Sequence, residues 1–314
     1  NTIGREIPEH IEGFGKADLF IGAWEKLKKG WMDEITIPPP NKAKMPHQCK
    51  SCSDLEQAIA RTSPKNGMTV SFHHHLRNGD NILVKTIDIL AKMGIKNITI
   101  ASSSLNQSHD PLLKYLEDGT ITKIWTSGLR GILGKAISNG ILDYPVIIHS
   151  HGGRVRAIHT GKVLVDLVII AASAADEEGN ATGSHGKSAF GSLGYAMIDA
   201  QYAKQVIVVT DNMVDFPCIP ISISQNYVDY VVKVDSIGDA SQIATGTTRI
   251  TKSPLDLRIA KLAADVIEHS GFFIPDFSFQ VGAGGASLAV AKFIREKMTH
   301  QNLKGSFLLG GVTS

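Results

Sequence analysis

The sequence has no excess of either charge. Its 32 Lys and Arg stand against 30 Asp and Glu, a formal net charge of +2. Binders of nucleic acid or anionic membranes carry a basic surplus or a basic stripe, so this balance argues against both. Cysteine is equally scarce: Cys49, Cys52 and Cys218 are the only three. An odd, sparse set is no disulfide framework and points to a reducing compartment, hence to a cytoplasmic protein. Cys49 and Cys52 form a C-x-x-C with His47 two residues ahead, but a zinc site wants a second pair nearby and only the distant Cys218 remains. The plainer reading is two ordinary thiols. Long apolar runs are missing too. The longest, 163–175, is interrupted by Asp166 and is too short for the ~20 residues that span a bilayer. Residues 1–12 contain no apolar signal core, and the chain does not start with Met, as a fragment, a processed form or only the ordered part of a chain would not.

What is present is an ordinary globular composition. Apolar residues make up 43% and charged residues 20% of 314 positions, enough for a real core. That length allows two ordinary domains or one large one at roughly 100–200 residues each. Glycine, 30 of 314, is somewhat above its usual ~7% and falls in clusters.

Residues 1–53 read as a peripheral arm or linker, with Pro38, Pro39 and Pro40 in a row and lysine-rich stretches. Leu19, Phe20, Ile21 and Trp24 would dock a short helix there. From Asp54 the pattern changes. A helix starts there with Ser53 or Asp54 as its cap, and short β-branched runs then alternate with helical stretches. Expected strands are 68–72, 95–101, 121–126, 146–150, 164–171, 205–209 and 230–234; expected helices are 82–93, 111–116, 132–139, 195–203 and 255–270. That alternation predicts an α/β fold with a mixed, largely parallel sheet and flanking helices. Ligands of such sheets sit outside the carboxyl ends of the strands. A weak internal repeat runs through the chain, since the order helix, glycine, strand, glycine turn, helix, strand recurs in 54–104 and 256–314. The last copy either begins a second domain or completes the first sheet.

Several strand ends carry groups able to do chemistry. Gly282, Gly284 and Gly285 follow a strand and open a helix, so their backbone N–H groups suit an anion or an oxyanion, although tight strand–helix packing explains them equally. Ser287 replaces the last glycine of a dinucleotide fingerprint, and no P-loop lysine follows. In His73-His74-His75 strand alternation sets His73 and His75 on one face and His74 on the other. Either one histidine is buried and two are exposed, or the run walls an active site in which Arg77 holds a carboxylate. The H-x-H of His149 and His151 could ligate a metal, but the later ligands of a metallohydrolase are absent, so we expect none. His151, Gly152, Gly153 and Arg154 read better as facing an anionic substrate, with the glycines allowing close backbone approach. Arg130, in the loop 127–131, is a similar candidate.

The stretches SFHHHLRNGD, IASSSL, TSGLRG, IHSHGGR, GSLGYAMIDA, VKVDSIGDA and QVGAGGASLAVAKFIREKM, with Asp176-x-x-Gly179-Asn180 after an apolar strand, resemble the CoA-transferase superfamily. Within it they most resemble the citrate lyase alpha-subunit family, over about residues 54–314. The resemblance implies a CoA-transferase-like (sugar-isomerase-like) fold of two lobes, the first over 54–252 and an incomplete second over 253–314. It implies exchange of the acetyl group of an acetyl thioester, on acyl carrier protein or CoA, for citrate, which yields citryl thioester and acetate. No covalently bound cofactor is implied. The substrate is acetyl-CoA or the phosphopantetheine arm of the carrier, and the partners are the beta and gamma subunits in an oligomer. Relatives with a covalent glutamate carry it beyond Ser314, whereas the citrate branch attacks the thioester directly through a mixed anhydride. In that scheme Arg77, Arg130, His151, Gly152, Gly153 and Arg154 hold citrate, Gly282, Gly284 and Gly285 with the Arg77–Gly79 turn form the oxyanion hole, and His74 is a further catalytic candidate. Asn180 and Gly284 hold the thioester. The alternatives are a citramalate lyase alpha subunit, which would look the same, and a non-catalytic phosphosugar-sensing domain of the same architecture.

Overall fold

A computed structural model describes residues 8–12, 15–16, 41–42, 48–244, 250–282 and 284–310. The proposed docking helix at 19–24, the prolines at 38–40, His47 and Ala283 lie outside them. The chain divides into two compact units, Asn1–Ile243 and Ala244–Ser314; the sequence reading set its lobe boundary at 252/253.

The first unit is built on β1 (Ser51–Cys52), β2 (Thr69–Phe72), β3 (Ile98–Ser102), β4 (Ile121–Thr126), β5 (Ile147–Ile148), β6 (Leu167–Ala172), β7 (Gln205–Thr210) and β8 (Tyr230–Lys233). They form one eight-stranded sheet in the order β1-β8-β7-β6-β2-β3-β4-β5. Every pairing in it is parallel. The strands are apolar on both faces, as parallel sheets covered on both sides require. One face packs Ile169, Ile207, Val209 and Val232 with α1 (Leu55–Arg61), α2 (Ile82–Lys92), α3 (Leu113–Glu117) and α4 (Gly131–Ser138). The other packs Val168, Ile170, Val206, Val208 and Val231 with α5 (His151–His159) and α6 (Ala196–Tyr202). The result is three layers. Local signals place the helices: the Asp54 carboxylate accepts the Gln57 N–H at 2.8 Å to cap α1.

Two expectations change. Residues 73–75 do not continue a strand, because the backbone leaves β2 at Phe72 and turns into a 3₁₀ helix over His74–Gly79. Residues 151–154 are not a loop. They are the first turn of α5, capped by Ser150, whose Oγ accepts the Gly153 N–H at 3.0 Å. The arm reading of 1–53 also overreaches, since Ser51 and Cys52 pair with Val231 and Val232 as an edge strand.

In the second unit α7 (Pro254–Glu268) and α8 (Gly285–His300) accompany β9 (Ser278–Val281) and β10 (Phe307–Gly310). Among the described residues β9 and β10 pair with each other, in parallel. Ala264, Phe273 and Ile294 form its small core.

Candidate active site

The topology selects one place on the large sheet. From β2 the chain adds β3, β4 and β5 outward on one side, then returns to add β6, β7 and β8 on the other. The strand order therefore reverses between β2 and β6, and ligands of open parallel sheets bind in the crevice at that switch point. Here it opens at the carboxyl end of β2, where the three histidines stand.

Beneath it lies a buried ionic network. Asp199 on α6 is fully buried, and Arg154 on α5 is 3% exposed. The Arg154 Nη1 and Nη2 groups donate to the two Asp199 oxygens at 2.8 and 2.9 Å. Nη2 also reaches Ser71 Oγ at 2.7 Å and the Ala101 carbonyl at 3.0 Å. His73 Nε2 lies 2.9 Å from Asp199 Oδ2, and Ser71 Oγ donates to Oδ1 at 2.5 Å. Burial pushes the Asp199 pKa up, but Arg154 and His73 outweigh it and hold the carboxyl well below the usual carboxylate range. The sequence reading had Arg154 face a ligand. Its guanidinium is instead turned inward, because a carboxylate buried on the neighbouring helix requires a partner.

The histidines rest on this network. The rings of His73 and His75 stack with centroids 5.4 Å apart and planes 9° apart, and His75 stacks on Phe190 at 5.1 Å. His74 is held by Ser103, whose Oγ accepts the His74 backbone N–H at 3.0 Å and lies 2.6 Å from Nδ1. When the Ser103 hydroxyl donates its own proton to Nδ1, the ring proton of the neutral imidazole sits on Nε2. Burial, then the charges of His73, His151, Arg77 and Arg154, pull the His74 pKa down to about 4, so the ring is neutral at pH 7. Burial likewise drives His75 well below its ordinary value. The ring of His74 sits 6.1 Å from His151 and 5.8 Å from Tyr195, and His151 meets Tyr195 edge-on at 5.2 Å. Three elements thus bring three polar rings together: the turn after β2, the first residue of α5, and the residue before α6.

The other candidates are spread more widely. Arg77 sits in the 3₁₀ segment at φ 52°, ψ −128°, a conformation that costs a non-glycine residue ~1–3 kcal/mol. Its carbonyl accepts from Ser108 Oγ at 3.2 Å. Arg130 is exposed at the start of α4, beyond the end of β4. Gly152 and Gly153 lie in the first turn of α5; a Cβ at 152 would meet nothing within 4 Å, while at 153 it would press on Ser150 Oγ at 2.8 Å. Asn180 is 3% exposed and turned inward. Its Nδ2 donates to Asp176 at 2.8 Å and its Oδ1 accepts the Gln225 N–H at 3.0 Å. Asp176 also accepts the N–H groups of Glu178, Gly179, Asn180 and Cys218. Both side chains therefore tie loops together, contrary to the ligand contact expected of Asn180. Gly282, Gly284 and Gly285 belong to the second unit, where Gly284 caps α8 with no side-chain hydrogen bond. Among the described residues no cluster of three or more His, Cys, Asp or Glu could hold a metal ion. His149 stacks on Trp125 at 5.4 Å, apart from the cluster containing His151. Sequence reasoning missed Asp199 and Tyr195. Both lie inside GSLGYAMIDA, but neither has a local partner that would mark it.

The family described as citrate lyase, alpha subunit, matches residues 48–314. The citrate lyase alpha chain of Escherichia coli K12 is 49% identical over 265 residues, covering 84% of this chain and 52% of that one. The citrate lyase alpha chain of Klebsiella pneumoniae is 49% identical over 266 residues, covering 85% and 52%. This chain thus spans about half the length of the curated relatives it matches. A crystal structure described as an alpha subunit of citrate lyase from Streptococcus mutans in complex with citrate is 46% identical. It superposes with a TM-score of 0.84 over 99% of this chain and 59% of that one. A malonate decarboxylase alpha subunit from Acinetobacter baumannii, 17% identical with a TM-score of 0.61 over 90% of this chain and 50% of that one, shares the fold. So does an acyl-CoA transferase from Escherichia coli O157:H7, 14% identical with a TM-score of 0.56 over 87% and 63%.

Proposed function

We propose, for a chain that belongs to the citrate lyase alpha-subunit family, that it carries part of the site of a transferase exchanging acetyl for citryl on a thioester. A citrate carboxylate attacks the acetyl thioester carbonyl and expels the thiolate, which forms a mixed anhydride. The thiolate then attacks the citryl carbonyl of that anhydride, giving citryl thioester and acetate. No net proton moves, so the chemistry calls for charge stabilisation and positioning.

The observation that carries this reading is His74. It stands at the switch point, desolvated, with Nδ1 engaged by Ser103. A ring whose pKa is pulled down to about 4 is a weak base, and its neutral form still carries one N–H, so Nε2–H serves the oxyanion that develops on the thioester. Arg77 and Arg130 supply cations, and His151, with the Gly152 and Gly153 turn, supplies donors for the citrate carboxylates. Within the second unit, taken by itself, the glycine turn of Gly282, Gly284 and Gly285 supplies backbone N–H groups suited to an anion. Arg154 and Asn180 support the site from below. The thioester is acetyl-CoA or an acetylated carrier arm, and beta and gamma subunits are the proposed partners in the cytoplasm. Among the described residues no helix is long and apolar enough to cross a membrane.

The test incubates the full-length chain with citrate and acetyl-CoA and measures acetate and citryl thioester. Both should form in equal amounts, and neither forming would overturn the reading. His74→Ala should lower kcat by about 10²–10³, the usual cost of one oxyanion donor.

A further inference from the structure

Tyr195 has no role in the scheme above, yet it touches both rings that do. Its ring lies 5.8 Å from His74 and 5.2 Å from His151, centroid to centroid. Its hydroxyl makes no hydrogen bond among the described residues, and it is not among the buried polar atoms left without a partner. The phenol oxygen is therefore not fully buried, and its ring lies beside the two imidazoles. His74 Nε2 is in the same state: no hydrogen bond among the described residues and no complete burial. His151 is exposed at the first turn of α5. Three polar rings from three elements thus lie side by side, and the Tyr195 hydroxyl, His74 Nε2 and the His151 ring nitrogens make no hydrogen bond among the described residues.

We infer that the Tyr195 hydroxyl, with His151, binds the substrate carboxylate that attacks the thioester, placing it beside His74; the inference rests on the transferase reading of this site. The chemistry favours a neutral donor. A guanidinium in close bidentate contact would bind that carboxylate more tightly but withdraw its charge and blunt it as a nucleophile. A phenol holds it through one hydrogen bond and leaves most of its charge available. The phenol also stays protonated, because burial pushes its pKa up.

Tyr195→Phe removes one oxygen and keeps the ring contacts with His74 and His151, so folding is not at issue. We expect the variant to bind citrate about 10–100-fold more weakly, the range of a lost hydrogen bond to a charged group. Isothermal calorimetry on the full-length chain with citrate alone reads this without turnover. Where turnover is measured, KM for citrate should rise by a similar factor while KM for acetyl-CoA stays unchanged. Unaltered citrate affinity in Tyr195→Phe overturns the inference, as does absence of citrate binding by the parent chain. If the parent binds citrate tightly, the variant binds it weakly and neither transfers acetyl, the citrate contact of Tyr195 stands while the transferase reading, and with it the part Tyr195 plays in attack, falls.

Discussion

Arg154 and Asp199 show how a residue's surroundings decide its role. Both lie close to the opening, yet their charges are spent on each other and on His73 and Ser71. Removing one partner of a buried pair leaves an uncompensated charge, which costs about 3–5 kcal/mol. Arg154→Ala should therefore lower unfolding stability by that amount in urea denaturation. A loss below about 1 kcal/mol would show that the guanidinium is not needed at this place. His74 gives a second prediction. Its folded pKa of about 4 lies below the ~6.5 of an unfolded chain, so the unfolded state binds the proton first as pH falls. This contribution to stability is complete above about pH 6.5 and disappears as pH drops toward about 4. The depressed His75 pKa acts in the same direction. Denaturation midpoints measured between pH 7 and pH 4 should fall steadily, and in His74→Phe they should fall less.

At the scale of elements, the segment carrying His74 and Arg77 is fixed by a crossing of two glycines. Asp239 N–H donates to the Gly79 carbonyl at 2.9 Å, and a Cβ on Gly238 would collide with that same carbonyl. Gly238→Ala should destabilise the unit by about 1–3 kcal/mol, as overpacking does. Gly152→Ala meets open space and should change stability little; equal melting temperatures for the two variants would refute the argument. The elements themselves were legible to different degrees. The strand at 121–126 has its sequence-predicted bounds, and six others fall within three residues of theirs at each end, because buried parallel strands read as bare apolar runs. The first turn of α5 was hidden because Gly152 and Gly153 look like a loop, and only the cap at Ser150 betrays it. Alternation failed at His73–His75 because it holds only while the backbone stays extended, and the chain turns at His74. Pairing of His73 and His75 survived on a different basis, ring stacking. Asp199 was illegible since its partners lie 45, 126 and 128 residues away in sequence.

At the scale of the whole molecule, the reversal of strand order sets where ligands bind, and the sequence alone pointed to the carboxyl edge without saying which strands met there. That needed the spatial order β6-β2-β3, which no local pattern encodes. The same order has a consequence at the margins of the sheet. Its two outermost strands, Ser51–Cys52 and Ile147–Ile148, are two residues long, while the strands between them run to four, five or six. A long free edge would expose a row of unpaired amides and carbonyls that another chain could copy. Here the terminal strands offer almost no such row. A sheet that is apolar through its whole middle is thus guarded against edge-to-edge aggregation by the brevity of its outermost members.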